Sequence, residues 1–326
     1  MPGVLDSGLH VGRETVYGTP VAATRSYEAK GDGHKRSMDY LVSDGMRSGM
    51  HTVRSDRRRG INMGAAGQIE LDVQNKGLGL LLQPGFGAPV VTIPGGGTNS
   101  RLHTYASSSD GAPGESVTVQ MDRATVTGGA LSPFVYHGGK VTKWTFAQAA
   151  DNYLMLTLEM DFEDEVAGGG VATPVYPATT TPFAWPDAVV TVASVATDVK
   201  SFEMSGEMAL DTGRRFIRGS ALKKEPRRNG IPVYEGSMEV EFADLTEYNR
   251  FTSGAVVAIV ATWTGAIIEG AIPFLFRLTM PACQYVGETP AISRDALPME
   301  PLPFVALHTG AAAAVTLEYQ TTDLTA

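Results

Sequence analysis

Apolar and polar residues alternate along this chain in short runs with a period of two, the spacing that puts one face of a strand in a core and the other in solvent. Gly67-Gln68-Ile69-Glu70-Leu71-Asp72 and Met238-Glu239-Val240-Glu241 show the alternation most cleanly. The same signature, enriched in β-branched and aromatic residues, predicts strands over 117–121, 141–146, 154–162, 189–195, 199–204, 238–242 and 315–319. The apolar stretch 255–276 is interrupted by Thr262, Thr264, Gly265, Glu269, Gly270 and Pro273, short of the roughly 20 apolar residues of a membrane helix. It reads as two buried strands with a turn near Thr264-Gly265. Helical signals are few. Asp244-Leu245-Thr246-Glu247 has the form of a capping box opening a helix that runs to about Phe251 and stops at Gly254. A weaker counterpart over 75–82 carries Gly77 and Gly79 inside it. These elements define an all-β fold, a β-sandwich with a flanking short helix.

The pattern also repeats. Arg57-Arg58-Arg59-Gly60-Ile61, followed by the alternating run from Gly67, is matched by Arg227-Arg228-Asn229-Gly230-Ile231, followed by the run from Gly236. Leu156-Thr157-Leu158-Glu159 and Val315-Thr316-Leu317-Glu318 close the two stretches in the same order. Two ordered matches favour a tandem duplication. At 326 residues the chain exceeds the usual domain of about 100–200 residues. Residues 1–165 are therefore expected to form one β domain and 187–326 a second. Between them, 166–186 has a linker composition, with Gly168-Gly169-Gly170, Pro174, Pro177, Thr179-Thr180-Thr181-Pro182 and Pro186.

Composition narrows the chemistry. With 37 glycines, 19 prolines and 19% charged residues, the chain suits a turn-rich β protein. Its single cysteine, Cys283, excludes an intrachain disulfide framework and reads as a small buried hydrophobe. The opening Met1-Pro2-Gly3-Val4-Leu5-Asp6 has neither the basic nor the apolar region of a signal peptide, so synthesis and folding are expected in the cytoplasm. A net charge of −9 opposes a surface that holds nucleic acid by neutralising phosphates. His10, His34, His51, His103, His137 and His308 lack metal-site spacing, no Gly-x-Ser-x-Gly elbow is present, and the carboxylates of 161–165 crowd one strand end. Gly95-Gly96-Gly97-Thr98-Asn99-Ser100 reads as a surface loop, without the Lys-Ser/Thr of a phosphate loop. No catalytic residue, cofactor or metal is expected.

Positive charge is concentrated in two places. Tyr40 to Gly60 carries Arg47, Arg54, Arg57, Arg58 and Arg59 without clear periodicity, and reads as a long polar hairpin arm. The corresponding part of the second half holds Arg214, Arg215, Arg218, Lys223, Lys224, Arg227 and Arg228. Such arms have little apolar area to offset ordering entropy, so they are expected to be mobile until docked. Asp161-Phe162-Glu163-Asp164-Glu165 supplies an acidic surface against which basic loops of another copy fit, giving head-to-tail stacking.

Three segments resemble the major tail tube proteins of long, non-contractile-tailed, siphovirus-like bacteriophages, particularly those infecting actinobacteria. They are Gly8-Leu9-His10-Val11-Gly12-Arg13-Glu14-Thr15-Val16-Tyr17-Gly18-Thr19-Pro20, Leu222-Lys223-Lys224-Glu225-Pro226-Arg227-Arg228-Asn229-Gly230, and Asp244 through Phe251. The resemblance spans most of the chain and fits most poorly between Ile93 and Asp110. It implies a structural virion protein, assembled in the host cytoplasm, whose stacked rings form a tube conducting double-stranded DNA from capsid to host without specific binding. Its partners are further copies of itself, a tape-measure protein and tail-end proteins. Arg47, Arg54, Arg57, Arg58, Arg59, Arg214, Arg215 and Arg218 are the expected inter-ring contacts, and Glu70, Asp72, Glu239 and Glu241 the expected acidic lumen. Rings in this family are commonly sixfold, so a duplicated chain is expected to close a pseudo-hexamer from three copies. The rival reading, a β-sandwich module binding carbohydrate or a receptor, requires an aromatic platform that the dispersed Trp144, Trp185 and Trp263 do not suggest.

Overall fold

The computed structural model describes residues 4–107, 114–126, 130–287, 289 and 297–325. The first half contributes β1 (Gly8–Arg13), β2 (Arg25–Tyr27), β3 (Lys35–Val42), β4 (Arg58–Asp72), α1 (Gly79–Phe86), β5 (Val90–Thr92), β6 (Arg101–Ala106), β7 (Val117–Ala124), β8 (Leu131–Ala149), β9 (Met155–Phe162) and β10 (Asp164–Ala167). The second contributes β11 (Ala188–Val192), β12 (Val195–Thr197), β13 (Val199–Glu207), β14 (Leu210–Asp211), β15 (Arg227–Arg228), β16 (Val233–Glu241), α2 (Thr246–Ser253), β17 (Val256–Glu269), β18 (Ile272–Tyr285), β19 (Met299–Ala306) and β20 (Thr316–Thr321). The all-β expectation holds, with short helices at the flanks.

One antiparallel sheet runs through both halves in the order β3–β4–β9–β8–β13–β16–β19. A second runs β12–β11–β17–β18–β20–β6–β5 and meets the first where β18 pairs with β19. The long β8 leaves the first sheet at its N-terminal end and carries β10 on one side and β7, β1 and β2 on the other. Aromatic side chains fill the space between sheets. Phe146 of β8 lies 5.0 Å from Phe276 of β18, Phe202 of β13 lies 6.1 Å from Trp263 of β17, and Phe86 of α1 covers Trp144 at 4.7 Å. Fully burying such rings is the main apolar contribution to stability, about 1.5–3 kcal/mol each. The repeated glycine at 236 has a packing reason: it stands opposite Phe304, whose ring occupies the space a Cβ would need.

Several expected elements fall elsewhere. The 255–276 stretch does form two strands, but β17 continues past Thr264-Gly265 through bulges, and the chain turns at Gly270 with φ +55°. The 189–195 run breaks at Ala193-Ser194, both at positive φ, which turn β11 into β12. The first helix starts at Gly79 rather than near Asn75, because Gly77 sits at φ +87° ahead of it. In α2 Asp244 accepts the Thr246 N–H at 2.7 Å, but Glu247 does not reach back; it takes Arg250 and the Tyr285 hydroxyl, tying the helix to β18. The sequence match of 156–159 to 315–318 joins strands with different neighbours: β9 lies beside β4, β20 lies between β18 and β6, and the strand beside β16 is β19.

The 166–186 segment is an anchored strap. Its backbone bonds Asp122, Ser26, Asn75, Val73 and Leu154 in turn, and Phe183 is buried. Ladders β8–β13 and β6–β20 join the two halves across one continuous core.

Candidate assembly surfaces

Cross-strand register places Glu70, Thr157, Thr145, Ser205, Glu235 and Val305 in one row across the first sheet, on the face away from Ile69, Leu158, Trp144, Met204 and Phe304. Residues two positions along each strand share that face. The four expected lumen acids, Glu70, Asp72, Glu239 and Glu241, therefore lie on one surface. It also carries Glu159, Glu203, Glu207 and Glu235, which sequence reading did not single out. The cations against them are few: Lys143 is paired in register with Glu159 and Glu207, Lys200 reaches Glu239 at 3.5 Å, and Lys30 reaches Asp72 at 2.8 Å. The signal for the extra acids was present in the alternation of β13 and β9. Only the β8–β13 ladder brings the strands together.

The two arms differ. The first joins β3 to β4, and 43–53 is exposed throughout. Arg54 pairs with Asp56, and Arg58 lies over the Tyr40 ring at 3.8 Å. Arg47, Arg57 and Arg59 face solvent. The second arm joins β13 to β16 and folds back across the first half. Arg215 donates to the Met63 and Ala221 carbonyls, Arg214 to the Glu225 carbonyl at 2.5 Å, and Arg218 to the Leu222 and Lys223 carbonyls. The Met63 N–H donates to Ala221 O at 3.2 Å, and Lys223 makes a buried ion pair with Asp161. Burial pushes the Asp161 carboxyl up and the Lys223 ammonium down, each against the pull of its partner's charge. A basic arm thus meets the acidic 161–165 run within one chain, and Asp164 is taken by Arg36. The expectation of a mobile second arm is not met, because backbone carbonyls and Asp161 satisfy its cations.

β3 forms the outer edge of the first sheet. All eight of its residues are exposed, Met38, Tyr40, Leu41 and Val42 among them. Of the tryptophans, Trp144 and Trp263 are core and Trp185 alone is exposed.

Two further constellations were invisible in sequence. The His10 ring reaches Ser26 Oγ at 2.7 Å and Asp122 at 3.3 Å, the connectivity of a nucleophilic relay. All three are buried, Ser26 Oγ accepts the Val175 N–H, and Asp122 accepts the Ala172 N–H, so the group fastens the strap. Burial pushes the His10 imidazole down, with Asp122 opposing. The Gly95–Ser100 loop cradles the Glu269 carboxylate through the N–H groups of Thr98, Asn99 and Ser100 and the hydroxyls of Thr98 and Ser100, at 2.7–2.9 Å. Burial pushes the Cys283 thiol up to about 12, and it is an inert core group. Among the described residues no His/Cys/Asp/Glu cluster is arranged to hold a metal, and no helix is long and apolar enough to cross a membrane.

The chain is all-β and combines a broad acidic sheet face, an exposed edge strand and a solvent-facing basic arm. The family model for phage tail tube proteins matches residues 5–306, and the chain belongs to that family, as a structural component of a virion tail. No curated protein matches the chain.

Proposed function

We propose that the chain assembles into stacked rings whose bore conducts double-stranded DNA from capsid to host, in a long, non-contractile tail of the kind carried by phages of actinobacteria. The observation that carries the reading is the acidic face shared by both halves. A wall bearing Glu70, Asp72, Glu159, Glu203, Glu207, Glu235, Glu239 and Glu241 repels phosphates, so DNA passes without adhering. Residues 1–165 and 187–326 are two copies of one unit, and three chains close a pseudo-hexameric ring. Arg47, Arg54, Arg57, Arg58 and Arg59 of the first arm contact the next ring. Arg214, Arg215 and Arg218 hold the second arm's shape, so their part in stacking is indirect. Assembly takes place in the host cytoplasm, around a tape-measure protein and between tail-end proteins.

Negative-stain electron microscopy of the purified chain, with sedimentation mass on the same sample, tests this. Hollow tubes with three chains per ring are expected. Six chains per ring would retain the tube and remove the pseudo-hexamer. A monomer that binds glycans and never assembles would favour the binding-module reading.

A further inference from the structure

We propose that Lys223 and Asp161 join covalently, the amine of one and the carboxyl of the other condensing into an isopeptide bond that staples the second arm to the first half. Both groups belong to one chain, so the bond forms with or without rings. Among the described residues four lysines pair with carboxylates: Lys30, Lys140, Lys200 and Lys223. Only in the Lys223–Asp161 pair are both side chains nearly out of solvent, at 5% and 14% exposed. Lys223 Nζ donates directly to Asp161 Oδ1, while Oδ2 is buried and accepts no hydrogen bond from the described residues.

Backbone holds both reacting groups in place. Asp161 lies within the first sheet, between β4 and β8, opposite Ala66 and Lys140. Lys140 does not compete for it, being taken by Glu225 at 2.9 Å and the Gly114 carbonyl at 2.6 Å. Lys223 arrives on an arm bridged to β4, where Leu222 pairs with Met63 and Arg215 donates to the Met63 carbonyl at 3.0 Å. A Cβ at Gly64 would stand 3.5 Å from both Lys223 Nζ and an Arg215 guanidinium nitrogen, so the two cations pack side by side on β4. Fixing two reactants against each other removes much of the entropic barrier to their joining.

A charged ammonium and a charged carboxylate do not condense, and water keeps most such pairs charged. Here burial favours the neutral form of each; the Arg215 cation favours the neutral amine further, while it pulls Asp161 the other way. A desolvated lysine beside another cation is an activated nucleophile. One proton passes from the ammonium to the carboxylate. The amine lone pair then forms the N–C bond at Asp161 Cγ, the C–O bond to the protonated oxygen breaks, and an amine proton leaves with that oxygen as water. Glu163 carries this last proton: its charge acts on Lys223, and burial holds its carboxyl above its ordinary value against the pull of His137 and Arg218. The amide replaces two buried charges with one neutral group and so removes their desolvation cost. It also closes a covalent loop through the strap, β11, β12 and β13, restraining the unfolded chain as a disulfide does.

Mass spectrometry of the full chain, denatured after the folded protein has stood at neutral pH, reads the bond. The wild type should be lighter than its sequence by one water, and Lys223→Arg should have its full sequence mass, once terminal processing common to both is subtracted. Arginine keeps the positive charge beside Asp161 and lacks the reactive amine. A tryptic digest should yield one branched peptide joining the segments that hold Asp161 and Lys223, with no cleavage after Lys223. In Glu163→Gln the branched product should form about a hundredfold more slowly. A Glu163→Gln chain fully joined on purification would overturn the proton carrier and leave the bond. A wild type of full mass, cleaved normally after Lys223, would overturn the bond, and so would a missing water whose fragments map elsewhere.

Discussion

At the scale of single residues, the strongest constraint is the space around the core aromatics. Gly206 of β13 stands directly opposite Trp144 of β8, and the indole fills the place of its missing side chain. Trp144 is fully buried and touches Phe86, Phe146 and Tyr234, so it has nowhere to move. Gly206→Ala should therefore destabilise by about 1–3 kcal/mol, the cost of overpacking. Urea unfolding reads the value directly, and a change within about 0.5 kcal/mol, the range of neutral surface substitutions, would show that the ladder yields there. This glycine sits at the junction between halves, so the close packing required for the fold is also what lets β13 approach β8.

At the scale of elements, hydrogen-bonded carboxylates hold the hairpins together. Glu269, at the tip of the β17–β18 hairpin, is drawn down to about 2 by the Ser100 hydroxyl first, against desolvation, and then by the N–H of Ser100, the Thr98 hydroxyl and the N–H of Asn99. A carboxyl lowered on folding from its ordinary value of 4.5 adds stability above that value, and the contribution disappears as pH falls toward 2. Glu269→Gln should lower the melting temperature at neutral pH, and the variant and wild-type curves should converge as pH falls from 4.5 to 2, so the variant's acid limb is flatter. An unchanged acid limb would mean that the loop is held by its own turn and not by the carboxylate. The strap shows the same dependence on groups far apart in sequence: Asp122 accepts Ala172, and Ser26 accepts Val175.

At the scale of the whole molecule, charge is segregated: acids on one sheet face, unpaired cations on the first arm. Attraction between such surfaces on different copies is screened over about 10 Å at 0.1 M salt. Replacing Arg57, Arg58 and Arg59 together with Glu should shorten tubes or leave single rings, and raised salt should shorten wild-type tubes in the same way. Length distributions from micrographs supply the readout. Tubes of wild-type length in the variant would assign stacking to other surfaces.

The sequence by itself determined what depends on nearest neighbours along the chain. Two-residue alternation made 67–72 and 238–241 strands with acids outward, the lone thiol made Cys283 core, and Gly254 ended α2. Lys35–Val42 escaped because its polar and apolar residues do not alternate, and the turn after β17 was misplaced because bulges carry a strand through Thr264-Gly265. The tertiary structure alone decided which strands became neighbours. The β8–β13 ladder merges two acidic runs into one face, Lys223 finds Asp161, and His10 finds Ser26 and Asp122. Local periodicity specifies which side of a strand is buried. It carries no term for which edge meets which, because that choice is made by packing and charge pairing between residues far apart along the chain.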